Sequence, residues 1–570
     1  MSSTLPDSAL KFMDWNWPQI EPYYQDLTDR PLDTANVGDW LADWSRLGEL
    51  LGETFNRLYI ATSLDTTDQL AVKRYQAFLD DIYPQMEAAD QQLREKLLNS
   101  KLEPEGFEVP LRDMRAEVEI FQEDNLPLLS QELKLGNEYD KIIGAQTVTW
   151  EGEETTLAQL KPVYQDTNRE KREQAWRMAA NRQLADRDAI NKLWATFMDL
   201  RQKIGQNAGL PDYRAYRWKQ MLRFDYTPED CTQFHHAIER VAVPAAERIL
   251  ERRRHRLGVE TLRPWDLEVD PYGLPPLRPF KDVGELVSQT ANIFHQVDPQ
   301  LGVYFKTMQS EGLLDLDNRK GKAPGGYCEE LQVIRRPFIF MNAVGLDDDV
   351  QTLLHEGGHA FHVFETANLP YIQQRQVGLE FAEVASMSME LLAAPYLGKE
   401  AGGFYSPADA ARARIESLEK AVLFWPYMAV VDAYQHWVYE NHALASDPSN
   451  CDEKWAELWG RFMPGVDWTD LDQEMMTGWH RKLHIHVVPL YYIEYGLAQL
   501  GAFQVWQNAT EDQAGAVDAY RQALSLGSTL PLPQLFAAAG ANFAFDEDTL
   551  QQAVNQAETT IAELETIAGY

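Results

Sequence analysis

Residues 347–362 read Asp-Asp-Asp-Val-Gln-Thr-Leu-Leu-His-Glu-Gly-Gly-His-Ala-Phe-His, and this stretch has the features of an α-helix. Three acidic residues at its start suit the positive end of a helix dipole, so we expect a helix that runs into His355 and beyond. Positions i and i+4 share a helix face, which places the imidazoles of His355 and His359 side by side. Both can therefore reach one Zn²⁺, with Glu356 beside the open coordination position.

A catalytic zinc site takes a third ligand from the protein, and a second predicted helix over residues 378–390 is rich in carboxylates. An antiparallel return of the chain would bring this helix beside the first one. Glu383 is the first candidate for the third ligand. Glu380 and Glu390 remain alternatives, and we expect them to form hydrogen bonds around the site or pairs at the surface.

Two further features of the first helix bear on the site. Three ligands from one straight helix would strain a tetrahedral site, so we assign His362 to the surroundings of the metal or to the core. The pair Gly357-Gly358 costs about 1 kcal/mol per residue in a helix relative to alanine. We therefore expect another backbone, either a neighbouring element or the substrate, to approach the helix closely at this point.

The surrounding sequence is predominantly helical, with one small sheet before the predicted zinc helix. Residues 318–327 form a predicted turn that ends in Gly325-Gly326-Tyr327, and the best strand candidates are Gln332–Ile334 and Pro337–Ala343. Apolar residues recur at helical spacing over residues 71–98, 168–204 and 283–310, while five prolines make residues 262–279 irregular. We predict a mainly α protein, with an N-terminal helical lobe over residues 1–205 and a catalytic region over residues 206–570, interleaved into one body.

The composition of the chain mainly excludes certain kinds of partner and location. The chain has 570 residues and a formal charge of −36, which argues against nucleic-acid or anionic-membrane partners. Its longest apolar stretch, Ala421–Val431, is shorter than the roughly 20 residues of a membrane span. The cysteines Cys231, Cys328 and Cys451 are few and odd in number, and no signal peptide is recognisable, so we expect a cytoplasmic protein.

Three segments together resemble the M3 peptidase family, in particular its oligoendopeptidase F and Pz-peptidase branch, which is related to thimet oligopeptidase. The matching segments are His355–His362, Glu383–Ser386 and the tyrosine-rich stretch His484–Gly496. The resemblance implies a two-lobed helical metallopeptidase with a deep substrate channel. It also implies one Zn²⁺ per chain, held by His355, His359 and Glu383.

The resemblance assigns roles to the tyrosine-rich segment as well. Tyr492 is expected to donate a hydrogen bond to the oxyanion, together with His484, although His486 and the neighbouring tyrosines remain alternatives. The turn at Gly325-Gly326-Tyr327 could pair with the substrate backbone as an added strand. The predicted substrate-binding residues are Gly325, Gly326, Tyr327, Tyr491 and Tyr495.

The predicted function is that of a zinc-dependent oligoendopeptidase that cuts internal bonds of short, unfolded peptides, with Glu356 as the catalytic base. The alternatives are a dipeptidyl carboxypeptidase-like exopeptidase and, from a different class, an inactive peptide-binding homologue. Expected partners are short peptides, and the chain is expected to be a monomer or homodimer.

Overall fold

Helices form most of the chain in the computed structural model, which describes residues 5–319, 321–323 and 325–570. The α-helices are α1 (Ala9–Phe12), α2 (Trp17–Asp29), α3 (Val37–Leu64), α4 (Gln69–Asp81), α5 (Tyr83–Ser100), α6 (Glu108–Ile120), α7 (Leu126–Gly144), α8 (Lys161–Tyr164), α9 (Arg169–Leu184), α10 (Arg187–Asn207), α11 (Tyr213–Gln220), α12 (Pro228–Leu257), α13 (Val283–Val297), α14 (Pro299–Ser310), α15 (Asp347–Thr366), α16 (Ile372–Arg375), α17 (Leu379–Ala393), α18 (Pro407–Glu440), α19 (His442–Ala445), α20 (Pro448–Phe462), α21 (Asp472–Met476), α22 (Leu483–His486), α23 (Ile493–Glu511), α24 (Gln513–Ser525), α25 (Leu532–Ala538) and α26 (Glu547–Ala568). The strands are β1 (Thr147–Trp150), β2 (Glu153–Thr156), β3 (Leu314–Asp317), β4 (Tyr327–Leu331) and β5 (Arg336–Ala343). The prediction of a mainly α fold is confirmed.

The chain divides into two compact units, and each unit is assembled from three separate segments. The first unit comprises Met1–Phe121, Arg278–Ala410 and Gly501–Phe543, and the second comprises Gln122–Leu277, Ala411–Leu500 and Ala544–Tyr570. The predicted boundary at residue 205 falls inside α10 and within the second unit, so it does not coincide with this division. Helices from both halves of the sequence contribute to each unit.

Three stretches predicted as helical are each divided into two helices, and two of the breaks have a local cause. Residues 71–98 break at Ile82, because Pro84 belongs in the first turn of a new helix, where its missing N–H is not needed. Residues 283–310 break at Asp298, whose side chain accepts hydrogen bonds from the backbone N–H groups that begin α14. Residues 168–204 break between Leu184 and Arg187. Irregularity between residues 262 and 279 is confirmed apart from a short 3₁₀ turn.

A three-stranded sheet lies before α15, as predicted, but only β5 coincides with a predicted strand. Its order is β3-β5-β4, with β4 antiparallel and β3 parallel to β5. The predicted strand Gln332–Ile334 is wrong, because these residues form the turn that joins β4 to β5. The backbone N–H groups of Val333 and Ile334 donate to the Glu53 carboxylate at 2.7 and 3.2 Å. These N–H groups therefore do not form hydrogen bonds between strands.

No helix among the described residues combines the length and apolar character needed to cross a membrane.

Candidate active site

The helix α15 carries the His-Glu-x-x-His motif, and its start is fixed by a carboxylate. The side chain of Asp349 accepts hydrogen bonds from the backbone N–H groups of residues 344, 345 and 346, at 2.7 to 2.8 Å. This arrangement satisfies donors at the helix entrance and places negative charge at the positive end of its dipole. The strand β5 leads directly into this turn, so sheet and helix together fix where His355, Glu356 and His359 lie.

Close packing of α17 against α15 occurs at the glycine pair. A Cβ atom on Gly358 would lie 2.4 Å from the carbonyl oxygen of Ala385 and 2.5 Å from the Cα of Ser386, both on α17. A Cβ atom on Gly357 would lie 2.4 Å from the ring of Phe294. The predicted close approach of another backbone is therefore observed at Gly358, where only glycine leaves room for the neighbouring helix.

This packing brings Glu383 of α17 beside the two histidines of α15. The Nε2 atom of His355 lies 3.4 Å from a carboxylate oxygen of Glu383, and the Nε2 atom of His359 lies 3.8 Å from the same oxygen. One ligand atom from each of the three residues lies within 4.8 Å of the others. Two imidazoles and one carboxylate form the donor set of a catalytic zinc site.

Hydrogen bonds outside this group orient the three side chains. The Nδ1 atom of His355 lies 2.7 Å from the carboxylate of Glu390, and the hydroxyl of Ser386 donates to Glu383 at 3.0 Å. The imidazole of His359 forms a hydrogen bond with the backbone of Ala382. Glu390 forms a hydrogen bond with the Nδ1 atom of His355, so the Nε2 atom of His355 is left to face Glu383. Histidines that bind metals are commonly oriented in this way, by a hydrogen bond at the ring nitrogen that does not bind the metal. The residues present fit a zinc ion.

Burial and charge together set the protonation of Glu383 and His359. Burial opposes ionisation of Glu383, but the hydrogen bond from His355 and the nearby imidazoles lower its pKa to about 2. Burial lowers the pKa of His359 to about 4, which leaves this imidazole neutral near pH 7. An ionised carboxylate and a neutral imidazole are the forms that bind a metal.

Glu356 is the buried carboxylate next to the metal-binding group. Burial, reinforced by the charges of Glu383 and Glu390 and opposed by that of His355, raises its pKa to about 7. Its carboxylate also contributes to the raised pKa of Cys328 on β4, after the larger effect of burial. A carboxyl group whose pKa lies near neutrality is suited to accept and return a proton.

The other candidates near the motif lie outside the group of three. Glu390 holds the ring of His355, while Glu380 is buried and does not belong to the group. His362 is buried with its ring near that of Phe381, in agreement with the expectation of a core position, and burial lowers its pKa to about 3.

The predicted substrate-binding turn lies against the start of α15. A Cβ atom on Gly326 would lie 3.3 Å from the side chain of Thr352, one turn before the motif. Gly325 has a φ of 94°, a conformation that favours glycine. Tyr327 begins β4 and its ring stacks on Phe340 at 4.7 Å between centroids. This strand is at the edge of its sheet.

The second unit brings His484 together with all three predicted tyrosines. Its ring centroid lies 5.7 Å from that of Tyr491, 5.0 Å from that of Tyr492 and 5.6 Å from that of Tyr495. Its Nε2 atom lies 3.4 Å from the hydroxyl of Tyr495. His486 is instead fully buried, with its ring stacked on Tyr139 at 4.4 Å.

Lys482 is a member of this cluster that the sequence analysis missed. Its ammonium group donates to the hydroxyl of Tyr492 at 2.7 Å and lies 4.1 Å from the centre of the same ring. Burial lowers the pKa of Lys482 to about 8. The sequence does contain a feature that could have indicated this role, because Lys482 lies two residues before His484 and just ahead of the tyrosines.

A helical fold with the His-Glu-x-x-His motif and a carboxylate from a second helix defines a metallopeptidase. Comparison with known families agrees, since the sequence matches Peptidase family M3 over residues 163–555 and the Peptidase M3 N-terminal domain over residues 8–111. The chain belongs to peptidase family M3.

Solved structures show the same fold over nearly the whole chain. The chain is 27% identical to Pz peptidase A, solved with an inhibitor, at a TM-score of 0.90, and the match covers 99% of both chains. It is 28% identical to a putative oligoendopeptidase F, at a TM-score of 0.89 with 97% of both chains covered. A putative oligoendopeptidase F from Bacillus anthracis str. Ames has the same fold at 24% identity and a TM-score of 0.85, with 97% of both chains covered. Comparison with curated proteins gives no match.

Proposed function

We propose that this chain is a zinc-dependent oligoendopeptidase that hydrolyses internal bonds of short, unfolded peptides. The observation that carries the proposal is the grouping of His355, His359 and Glu383 within 4.8 Å, next to the buried carboxylate of Glu356. His355, His359 and Glu383 would hold the ion. Zinc supplies Lewis-acid polarisation of the carbonyl and lowers the pKa of water so that hydroxide is available near pH 7.

Glu356 acts as the base and then as the acid in this proposal. Its carboxylate accepts a proton from the attacking water, and the same oxygen later returns that proton to the leaving amine. The pKa of about 7 supports both steps, since neither protonation state is strongly disfavoured at neutral pH. Glu390 has a positioning role, because its hydrogen bond to Nδ1 fixes the ring of His355.

For the oxyanion, we propose Tyr492 as donor with His484 beside it, as the family resemblance implies. Lys482 supports this role because its ammonium group donates to the oxygen of Tyr492, which leaves the phenol proton for another acceptor. The hydrogen bond from a positively charged ammonium group to that oxygen also makes the phenol a stronger donor. Tyr491 and Tyr495 are proposed to contact the substrate.

Substrate backbone would pair with the edge of β4. A strand added to an exposed sheet edge is recognised through its main chain, which suits a peptidase that tolerates many sequences. The turn at Gly325-Gly326-Tyr327 begins this edge, and its proximity to α15 supports a role in substrate binding.

The decisive experiment uses a peptide that is acetylated at its N-terminus and amidated at its C-terminus, with cleavage read by mass spectrometry. We expect the zinc-loaded chain to cut internal bonds, a chelator to abolish cutting, and added zinc to restore it. Glu356→Gln should keep its metal and lose turnover by about 10²-fold or more. If only peptides with a free C-terminus are cut, two residues from that end, the chain is a dipeptidyl carboxypeptidase. If the zinc-loaded chain cuts neither peptide, the chain is a peptide-binding homologue.

A further inference from the structure

We infer that the second unit contains another metal site, formed by Cys231 of α12 with Asp432 and His436 of α18, for a cation of the zinc type. One ligand atom from each of these residues lies within 4.8 Å of the other two. All three side chains are buried. The site belongs to a different unit from the His-Glu-x-x-His motif, and its existence does not depend on the proposed peptidase activity.

The geometry of the two helices brings the ligands together. Cys231 and His235 are spaced i and i+4 on α12, and Asp432 and His436 have the same spacing on α18, so each pair shares one helix face. The Nε2 atom of His436 lies 3.3 Å from a carboxylate oxygen of Asp432. His235 donates from its Nε2 atom to the same carboxylate oxygen at 2.8 Å, which orients Asp432 from outside the group of three.

Polar atoms without hydrogen-bond partners point to a ligand at this position. The second carboxylate oxygen of Asp432 and the Nε2 atom of His436 are both buried. Among the described residues, this oxygen of Asp432 has no hydrogen-bond partner, and the Nε2 atom of His436 forms no hydrogen bond beyond its 3.3 Å approach to the first carboxylate oxygen. Buried polar atoms are nearly always satisfied, since leaving one unpaired costs about 1–3 kcal/mol. A cation that accepts electron pairs from Asp432 and His436 would satisfy both atoms at once.

The donor set selects the class of cation. A thiol sulfur with an imidazole nitrogen suits zinc, cobalt or another borderline-soft divalent ion, and is a poor set for magnesium or calcium. Binding releases the thiol proton of Cys231, and the thiolate and the Asp432 carboxylate then balance the charge of a divalent ion. A water molecule would take the fourth position of a tetrahedral site.

The neighbouring arginine is compatible with this chemistry. Arg214 donates to the Nδ1 atom of His436 at 3.1 Å, so the ring proton lies on Nε2. Metal binding at Nε2 moves that proton to Nδ1 and ends this hydrogen bond. Arg214 retains its ion pair with Glu440, so the guanidinium is not left without a partner.

The burial of every ligand makes this a structural site that joins α12 to α18. A metal held by buried ligands contributes folding free energy, even though water rather than a fourth side chain would complete this site. Because the ligands are buried, we expect the ion to enter during folding.

Cobalt is the probe that tests the site, because a Co²⁺ ion bound by a thiolate shows a sulfur-to-metal charge-transfer absorption that imidazole and carboxylate ligands do not produce. The full chain is produced in cobalt-supplemented medium as the wild type, as Cys231→Ser, and as the matched controls Cys328→Ser and Cys451→Ser. We expect the wild type and both controls to show the absorption. Cys231→Ser should lose the absorption and one equivalent of metal.

A second variant keeps the test valid if Cys231→Ser fails to fold. His436→Gln retains the thiol and should lower the metal content by the same single equivalent, while Glu356→Gln should not change the absorption. An absent absorption in the cobalt-loaded wild type, or one that persists in Cys231→Ser, would overturn the inference. Loss of the absorption in Cys328→Ser would also overturn it. None of these results bears on whether the chain hydrolyses peptides.

Discussion

Replacing Gly358 by alanine is expected to destabilise the protein, although alanine is the better helix former. The new Cβ atom would lie 2.4 Å from the oxygen of Ala385, whereas ordinary contact begins near 3.4 Å. To relieve this contact, α15 and α17 must move apart by about 1 Å, because the atoms that the new Cβ meets, the oxygen of Ala385 and the Cα of Ser386, belong to the backbone of α17. Overpacking of this kind costs about 1–3 kcal/mol, and we place Gly358→Ala at the upper end. The gain in helix propensity offsets about 1 kcal/mol, so the net loss is about 2 kcal/mol.

The same displacement would move Glu383 away from the two histidines. Metal–ligand distances tolerate only about 0.2 Å, so a shift of α17 should weaken metal binding as well as folding. We expect the zinc affinity of Gly358→Ala to fall by about 10- to 100-fold, as when an outer partner of a metal ligand is removed. Urea unfolding measures the first effect, and competition with a chelator of known affinity measures the second.

Gly460→Ala is the matched control, because it makes the same substitution in α20, where no atom of the described residues other than the neighbouring backbone of the same helix lies within 4 Å of the new Cβ atom. This variant should gain up to about 1 kcal/mol of stability and keep its zinc affinity. The reasoning is refuted if Gly358→Ala unfolds at the same or higher urea concentration than the wild type. It is equally refuted if the variant unfolds earlier but holds zinc with undiminished affinity.

Three further predictions concern other parts of the chain. Glu383→Ala should lose bound zinc on dialysis; unchanged zinc content and affinity would move the third ligand to Glu380 or Glu390. Tyr492→Phe should lower kcat by about 10²- to 10³-fold with little change in KM, and an unaltered kcat would assign the oxyanion to a neighbour. Burial opposes ionisation of Asp266, but hydrogen bonds from Arg169 and Arg172 hold its pKa below the ordinary 3.8. The contribution of ionised Asp266 to stability should be constant above pH 3.8 and should disappear as the pH falls through the lower pKa that this residue has in the folded protein. Asp266→Asn should cost about 3 kcal/mol at neutral pH and remove this dependence of stability on acid pH.

The sequence could predict the helix of the site because its signals are local. The acidic start, the histidine spacing and the glycine pair of residues 347–362 all lie within a few turns of one another. The break at Ile82 was missed because apolar spacing continues through it, although Pro84 marks the new start. The turn at Gln332–Ile334 depends on Glu53, a partner some 280 positions away, which no local pattern reveals. The alternation of the segments of the two units along the sequence also depends on contacts between distant residues, so no local pattern reveals it.

The position of the third ligand follows from the register in which α17 packs on α15. Ala385 and Ser386 lie opposite Gly358, and the chain directions are antiparallel, since His355 meets Glu390 further along α17. Glu383 lies two positions before Ala385, and this register brings its carboxylate to 3.4 Å from His355 and 3.8 Å from His359. The spacing between the second histidine and the carboxylate is thus determined by where two helix backbones touch, and not by the length of the connection. Any insertion between α15 and α17 that leaves the contact at Gly358 intact should accordingly leave Glu383 in place.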